Sequence, residues 1–187
     1  AGHDVTLCPP LGRRSVGTDV VAYGRRLAAE LQAAGPVDVL VGMSVGTQGA
    51  VAAALAGAPA GQLVLVGPTI DPQRRGVGSA FTAWMSGEDH RNAPGPAVHL
   101  PDWVRAGPHR IYRSLRSAIA FRLEDELPGI RVPITIVHGD ADQLSPLPYA
   151  LALADRSGAR LLIMPDAPHS WPVADGARFI DLIDELT

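Results

Sequence analysis

Five short runs constrain this chain more than any other feature: Val5–Cys8, Val37–Val41, Gln62–Val66, Pro133–Val137 and Arg160–Met164. Each is largely apolar, too short for a buried helix, and bounded by Gly, Pro or polar residues, which is the signature of a buried strand. Between them the period changes. Val20, Tyr23, Leu27 and Leu31 recur at helical spacing behind a candidate cap at Thr18 or Asp19, and Gly35-Pro36 stops that helix after Ala34. An Ala-rich helix runs to about Gly57, and another follows Pro146 to about Asp155. A last helix, Pro172–Leu186, is expected to bury Val173, Phe179, Ile180, Ile183 and Leu186. Strands apolar on both faces need helices on both sides. The predicted class is therefore α/β, a mostly parallel sheet with flanking helices.

Residues 70–128 break the alternation. They contain no apolar strand, two of the three Trp, and Arg105, Arg110, Arg113 and Arg116, with helical pieces expected at Ala80–Met85 and His109–Leu123. This reads as a helical cap inserted into a core made of residues 1–69 and 129–187. With 47% hydrophobic and 19% charged residues in 187, one packed core is expected and disorder is not. A net charge of -3 without a basic run argues against nucleic acid as a partner. No apolar run reaches membrane-spanning length, and Ala1-Gly2-His3-Asp4 is unlike a signal peptide, so a cytoplasmic location without membrane association is expected. Cys8 stands alone and can form neither an internal disulfide nor a CxxC metal site.

Chemistry concentrates at three strand ends. Gly42-Met43-Ser44-Val45-Gly46 is a GxSxG between a strand and a helix. Such a turn lifts the Ser hydroxyl above the sheet and sets the helix N-terminus beneath it, with Val45 N–H as an oxyanion donor. His138-Gly139-Asp140-Ala141-Asp142 follows the next-to-last strand, and Asp142 or Asp140 is the candidate acid. Asp142 reaches further across the loop, whereas Asp140 suits a turn cap. His169, in Pro168-His169-Ser170 after the last strand, is the candidate base. A His-x-Asp-x-Asp run also suggests a metal cluster, but no second His stands at metal-site spacing, so no metal is expected.

Taken together, Gly42–Gly46, the loop Gly139-Asp140-Ala141-Asp142 with Pro146, and Pro168-His169-Ser170 resemble the α/β-hydrolase family over most of the chain. The resemblance implies a serine hydrolase with Ser44 as nucleophile, Asp142 as acid and His169 as base. It implies a small-molecule acyl substrate, no cofactor, and a variable cap where 70–128 lies. Met43, Trp84, Met85, Trp103, Tyr112 and Trp171 are candidates for an apolar acyl pocket, with ordinary packing as the competing reading. The arginines of 105–116 could meet an acidic substrate, although a solvated face suits them better. Carbon–carbon bond hydrolase and cofactor-free haloperoxidase chemistry are alternatives within the family. A non-catalytic binding protein is the alternative outside enzymes.

The family pattern is also broken. The His-Gly loop that supplies a second oxyanion donor has no counterpart in residues 1–35, and His3–Gly12 resembles the family's fourth strand. The strand that would lie beside Val37–Val41 is then missing. The expectations are a fragment of a longer chain, a strand donated by another chain, or Val5–Cys8 moved into the vacant place, with Pro10-Leu11-Gly12 standing in for the oxyanion loop.

Overall fold

The computed structural model describes residues 2–13, 15–79, 82, 104 and 107–187. Four parallel strands form one sheet in the order β1 (Val37–Met43), β2 (Ala60–Val66), β3 (Ile134–Gly139), β4 (Arg160–Met164). The helices are α1 (Val20–Ala34), α2 (Gly46–Leu55), α3 (Pro108–Ala120), α4 (Leu123–Glu126), α5 (Leu147–Ser157), α6 (Trp171–Ala174) and α7 (Gly176–Leu186). All strands point the same way, so all their carboxyl ends, with the loops that follow, meet at one rim.

Strand alternation divides the core in two. Leu40, Leu63, Leu65 and Ile136 face a cluster with Val51, Ala53, Leu123, Leu127 and Leu153. Val64, Val66 and Val137 face the other side, against Ala167, Trp171 and Leu182 with Phe179, Ile183 and Leu186. Each fully buried Leu or Val contributes about 1.5–3 kcal/mol, so the two clusters together hold the strands in register. Asp19 caps α1 by accepting from Ala22 N at 2.7 Å.

Three expectations change. Val5–Cys8 is not a strand: it has no ladder partner, and Val5 and Leu7 are 71% and 89% exposed. A strand exists only through its neighbour's hydrogen bonds, and among the described residues β1 pairs with β2 and not with Val5–Cys8. The last helix divides at Asp175, which restarts it by accepting from Arg178 N, and Val173 and Ile180 turn to solvent rather than into the core. Within 70–128, the helix expected at His109–Leu123 is α3. It docks on the start of α1, where Ser117 Oγ accepts from Val20 N at 2.9 Å. The piece at Ala80–Met85 falls largely outside the described residues. Among the described residues no helix is long and apolar enough to cross a membrane.

Gly24 sets the α1–α2 contact. A Cβ there would lie 2.5 Å from the carbonyl carbon and Cβ of Ala52. Gly24→Ala is expected to lower stability by about 1–3 kcal/mol through overpacking. Urea unfolding reads this directly, and an unchanged midpoint would mean that the two helices separate at no cost.

Candidate active site

At the rim, β1 turns directly into α2 through Gly42-Met43-Ser44-Val45-Gly46. Ser44 is held at φ +53°, a conformation disfavoured for a residue with a side chain. Neighbours fix it there. Ser44 N donates to Val66 O at 2.9 Å, and Thr47 Oγ1 donates to Ser44 O at 2.6 Å. Gly42 is required sterically, since a Cβ would stand 2.6 Å from Gly46 O and 2.8 Å from Thr47 Cα. Gly46 is not: a Cβ there meets nothing within 4 Å. Val45 stands at the N-terminus of α2, where backbone N–H groups lack partners within the helix and the dipole is positive.

His169 comes from the loop between β4 and α6 and is 3% exposed. Its Nε2 lies 2.9 Å from Ser44 Oγ, and its Nδ1 lies 2.8 Å from Asp142 Oδ2. An ionised carboxylate can only accept, so Nδ1 carries the hydrogen and Nε2 is left to accept from the serine hydroxyl. The other carboxylate oxygen, Asp142 Oδ1, accepts from Leu144 N at 2.9 Å and Ser145 N at 2.8 Å. Asp142 is thereby aimed before the imidazole reaches it.

Between the two candidate aspartates the geometry is unambiguous. Asp140 points away from the imidazole and ties its loop to the other: Asp140 Oδ1 accepts from Ala167 N at 3.3 Å, and Asp140 N donates to Met164 O at 3.0 Å. Gly139 permits this contact, because a Cβ there would sit 2.1 Å from Ala167 O.

Other candidates lie elsewhere. Trp171, expected at a pocket, is 3% exposed and packs edge-on against Phe179 at 5.9 Å, with the Arg178 guanidinium over its ring. Its large apolar surface packs in the core cluster with Val64, Val66 and Leu182. Met43 likewise packs against the core cluster around Val64 and Val66. Tyr112 is half-exposed on α3 beneath Arg116. Arg110 donates to the carbonyls of Gly12 and Arg13. Trp84, Met85, Trp103 and Arg105 lie outside the described residues. Among the described residues no three His, Cys, Asp or Glu side chains gather as metal ligands.

Two further residues stand beside the site: Gly67, whose place there the sequence did not reveal, and His138, which opens the acid loop. Gly67, after β2, has φ +52°, and a Cβ there would stand 3.0 Å from His169 Cε1 and Nδ1 and 3.3 Å from Asp142 Oδ2. Its signal was the Gly-Pro at a strand end on the same rim as the other loops. His138, at the end of β3, is fully buried, and neither ring nitrogen has a hydrogen-bond partner. Burial pushes its pKa down and His169 adds to this, against the opposing pull of Asp142 and Asp140.

A parallel α/β sheet whose strand ends join a hydroxyl, an imidazole and a carboxylate defines the class of protein. The family model described as the alpha/beta hydrolase family matches residues 2–182, and the chain belongs to that family. Solved structures share the fold. Est816, described as an N-acyl homoserine lactone degrading enzyme, superposes with a TM-score of 0.74 at 18% identity, covering 95% of this chain and 80% of its own. E-2-(acetamidomethylene)succinate hydrolase gives 0.70 at 16%, covering 90% and 74%. A bromoperoxidase from Bacillus anthracis gives 0.66 at 15%, covering 89% and 73%. No curated protein matches the sequence.

Gly67→Ala should leave the fold intact but displace the imidazole. Its turnover should fall by about 10²-fold, the scale of a 1 Å misplacement, with an unchanged rate excluding Gly67 from the positioning of His169. His138 binds its proton more weakly folded than unfolded. The stability this confers is complete above the unfolded pKa of about 6.5 and is lost as pH falls below it. Thermal unfolding should therefore show a midpoint that falls from pH 7 to pH 5, less steeply in His138→Gln. Parallel curves would remove His138 from the acid response.

Proposed function

We propose that the protein is a serine hydrolase that cleaves an ester or related acyl bond through an acyl-enzyme on Ser44. The observation that carries this reading is the unbroken chain from Ser44 Oγ through His169 to Asp142, at 2.9 Å and 2.8 Å. Ser44 Oγ attacks the acyl carbonyl carbon while His169 Nε2 takes its proton. Asp142 holds the ring in the required tautomer and stabilises the imidazolium. The oxyanion develops at the α2 N-terminus, where Val45 N–H is the donor; one such donor is worth about 2.7–4 kcal/mol. His169 then protonates the leaving alcohol oxygen as the carbon–oxygen bond breaks. Water, deprotonated by the same nitrogen, attacks the acyl carbon; the acyl–Oγ bond breaks, His169 returns the proton to Ser44 Oγ, and the acid is released. Esterase, lactone-degrading and hydrolase descriptions among the structural neighbours support acyl chemistry over peroxidase chemistry.

The test is direct. A fluorophosphonate probe should label the folded protein, and Ser44→Ala should abolish labelling. Asp142→Asn should lower p-nitrophenyl ester turnover by about 10⁴-fold, whereas Asp140→Asn should act mainly on stability. A folded wild-type chain that resists the probe, or a Ser44→Ala chain that still reacts, would overturn the assignment.

A further inference from the structure

The segment leaving β2 is fastened at both ends. Near the site, Ser145 Oγ donates to Pro68 O and Gln48 Nε2 donates to Thr69 O. Ile70 follows, and packs with Leu11, Val45 and Phe121 on the cluster of Val20, Ala52 and Ala118. The far end is held by charge. Past a short turn capped by Asp71, Arg75 Nη2 donates to Glu124 Oε1. Glu124 sits on α4 and is 8% exposed. Its own carbonyl accepts from Arg156 Nε of α5 at 3.0 Å, and its Oε1 also meets Arg122 Nε at 3.3 Å. The carboxylate is therefore anchored to the core, and Arg75 is anchored to the carboxylate.

This pair has no evident reason in stability. A buried ion pair is commonly no better than apolar residues of the same volume, because desolvation offsets the attraction. Here the balance is poorer still, since Arg75 Nε and Glu124 Oε2 are both buried with no hydrogen-bond partner. What an apolar contact cannot supply is fixed registry between two stretches 49 residues apart. Their other ends are Ile70, five residues before Arg75, and Phe121, three before Glu124, and both pack on the cluster that Val45 joins. Although burial pushes the Glu124 carboxyl up, Arg75 and Arg122 more than offset it, and its pKa lies below the ordinary value. The pair accordingly stays charged throughout the neutral range.

We infer that Arg75 and Glu124 are positioning residues for the reaction at Ser44, fixing how closely Ile70 and Phe121 stand to Val45 and hence which acyl chains fit. The inference rests on the acyl-enzyme reading above. It places the apolar wall of the acyl site on Ile70 and Phe121, and gives neither charged residue contact with the reacting atoms.

Single removal of either charge would strand its partner in the interior, so the test removes both. Arg75→Met/Glu124→Leu is assayed with p-nitrophenyl acetate, butyrate and octanoate beside the wild type. The expected result is a melting midpoint close to wild type and an unchanged kcat. KM should rise about tenfold for octanoate and little for acetate, the pattern of lost substrate binding without lost transition-state stabilisation. Arg75→Lys, which keeps the charge, should restore most of the octanoate KM. A folded double variant with wild-type KM on all three esters overturns the inference. If the double variant does not fold, Ile70→Ala carries the same expectation, and an unchanged octanoate KM there overturns it equally. The fluorophosphonate probe keeps the two readings apart: an unlabelled wild type ends the acyl-enzyme reading and this inference with it. A labelled wild type with unmoved KM values in the variants ends this inference alone.

Discussion

Everything at the rim depends on the buried hydrogen bond between His169 Nδ1 and Asp142 Oδ2. It joins loops from two different strand ends and decides which nitrogen faces the serine. Because the imidazole is almost wholly removed from water, its orientation is not averaged by solvent. The carboxylate is held in turn by two backbone N–H groups, so the imidazole meets an acceptor already in place. The three side chains are thus held in one orientation by contacts made on folding.

Among the described residues, the strand that leads into Ser44 is paired on one side. β1 pairs with β2, and Val41 is 39% exposed. Other contacts hold the turn that follows. Gly42 lets the α2 backbone press onto the turn, and Ser44 N is fixed to Val66 O on the adjacent strand. Gly24 brings α1 against α2 from outside. Glycines at 24, 42 and 139 each mark a place where a second segment approaches closer than any side chain allows.

Two local features tie the fold to the site. The Gly67–Arg75 segment lies against the imidazole at its start and bonds the Glu124 carboxylate at its end, so one length of chain links the rim to the helices of the Leu123 and Leu127 layer. His138 lies beneath the acid loop with both nitrogens unpaired. A buried polar group left in this state costs about 1–3 kcal/mol, and such costs collect beside functional sites.

The four sheet strands were legible because apolar runs of five to seven residues have few alternatives once Gly and Pro bound them. The order Ser44, Asp142, His169 was legible because each residue falls just after a strand end, and parallel strands bring all such ends to one rim. Sequence left Asp140 and Asp142 open, since a two-residue difference in a loop has no periodicity to read; the backbone N–H groups of Leu144 and Ser145 made the choice. For Trp171 and Met43 sequence left a pocket and ordinary packing open, because an aromatic or thioether beside a strand end looks the same in either place; both pack on the core cluster. Val5–Cys8 carried strand composition without a strand, because composition is local and a ladder is not. The sequence by itself determined the element types, the parallel class and the three chemical groups, all of which follow from short-range patterns. Only the tertiary structure decided which oxygen meets which nitrogen, which glycine stands against the imidazole, and which charges meet across 49 residues. These depend on distances between segments that no local pattern encodes.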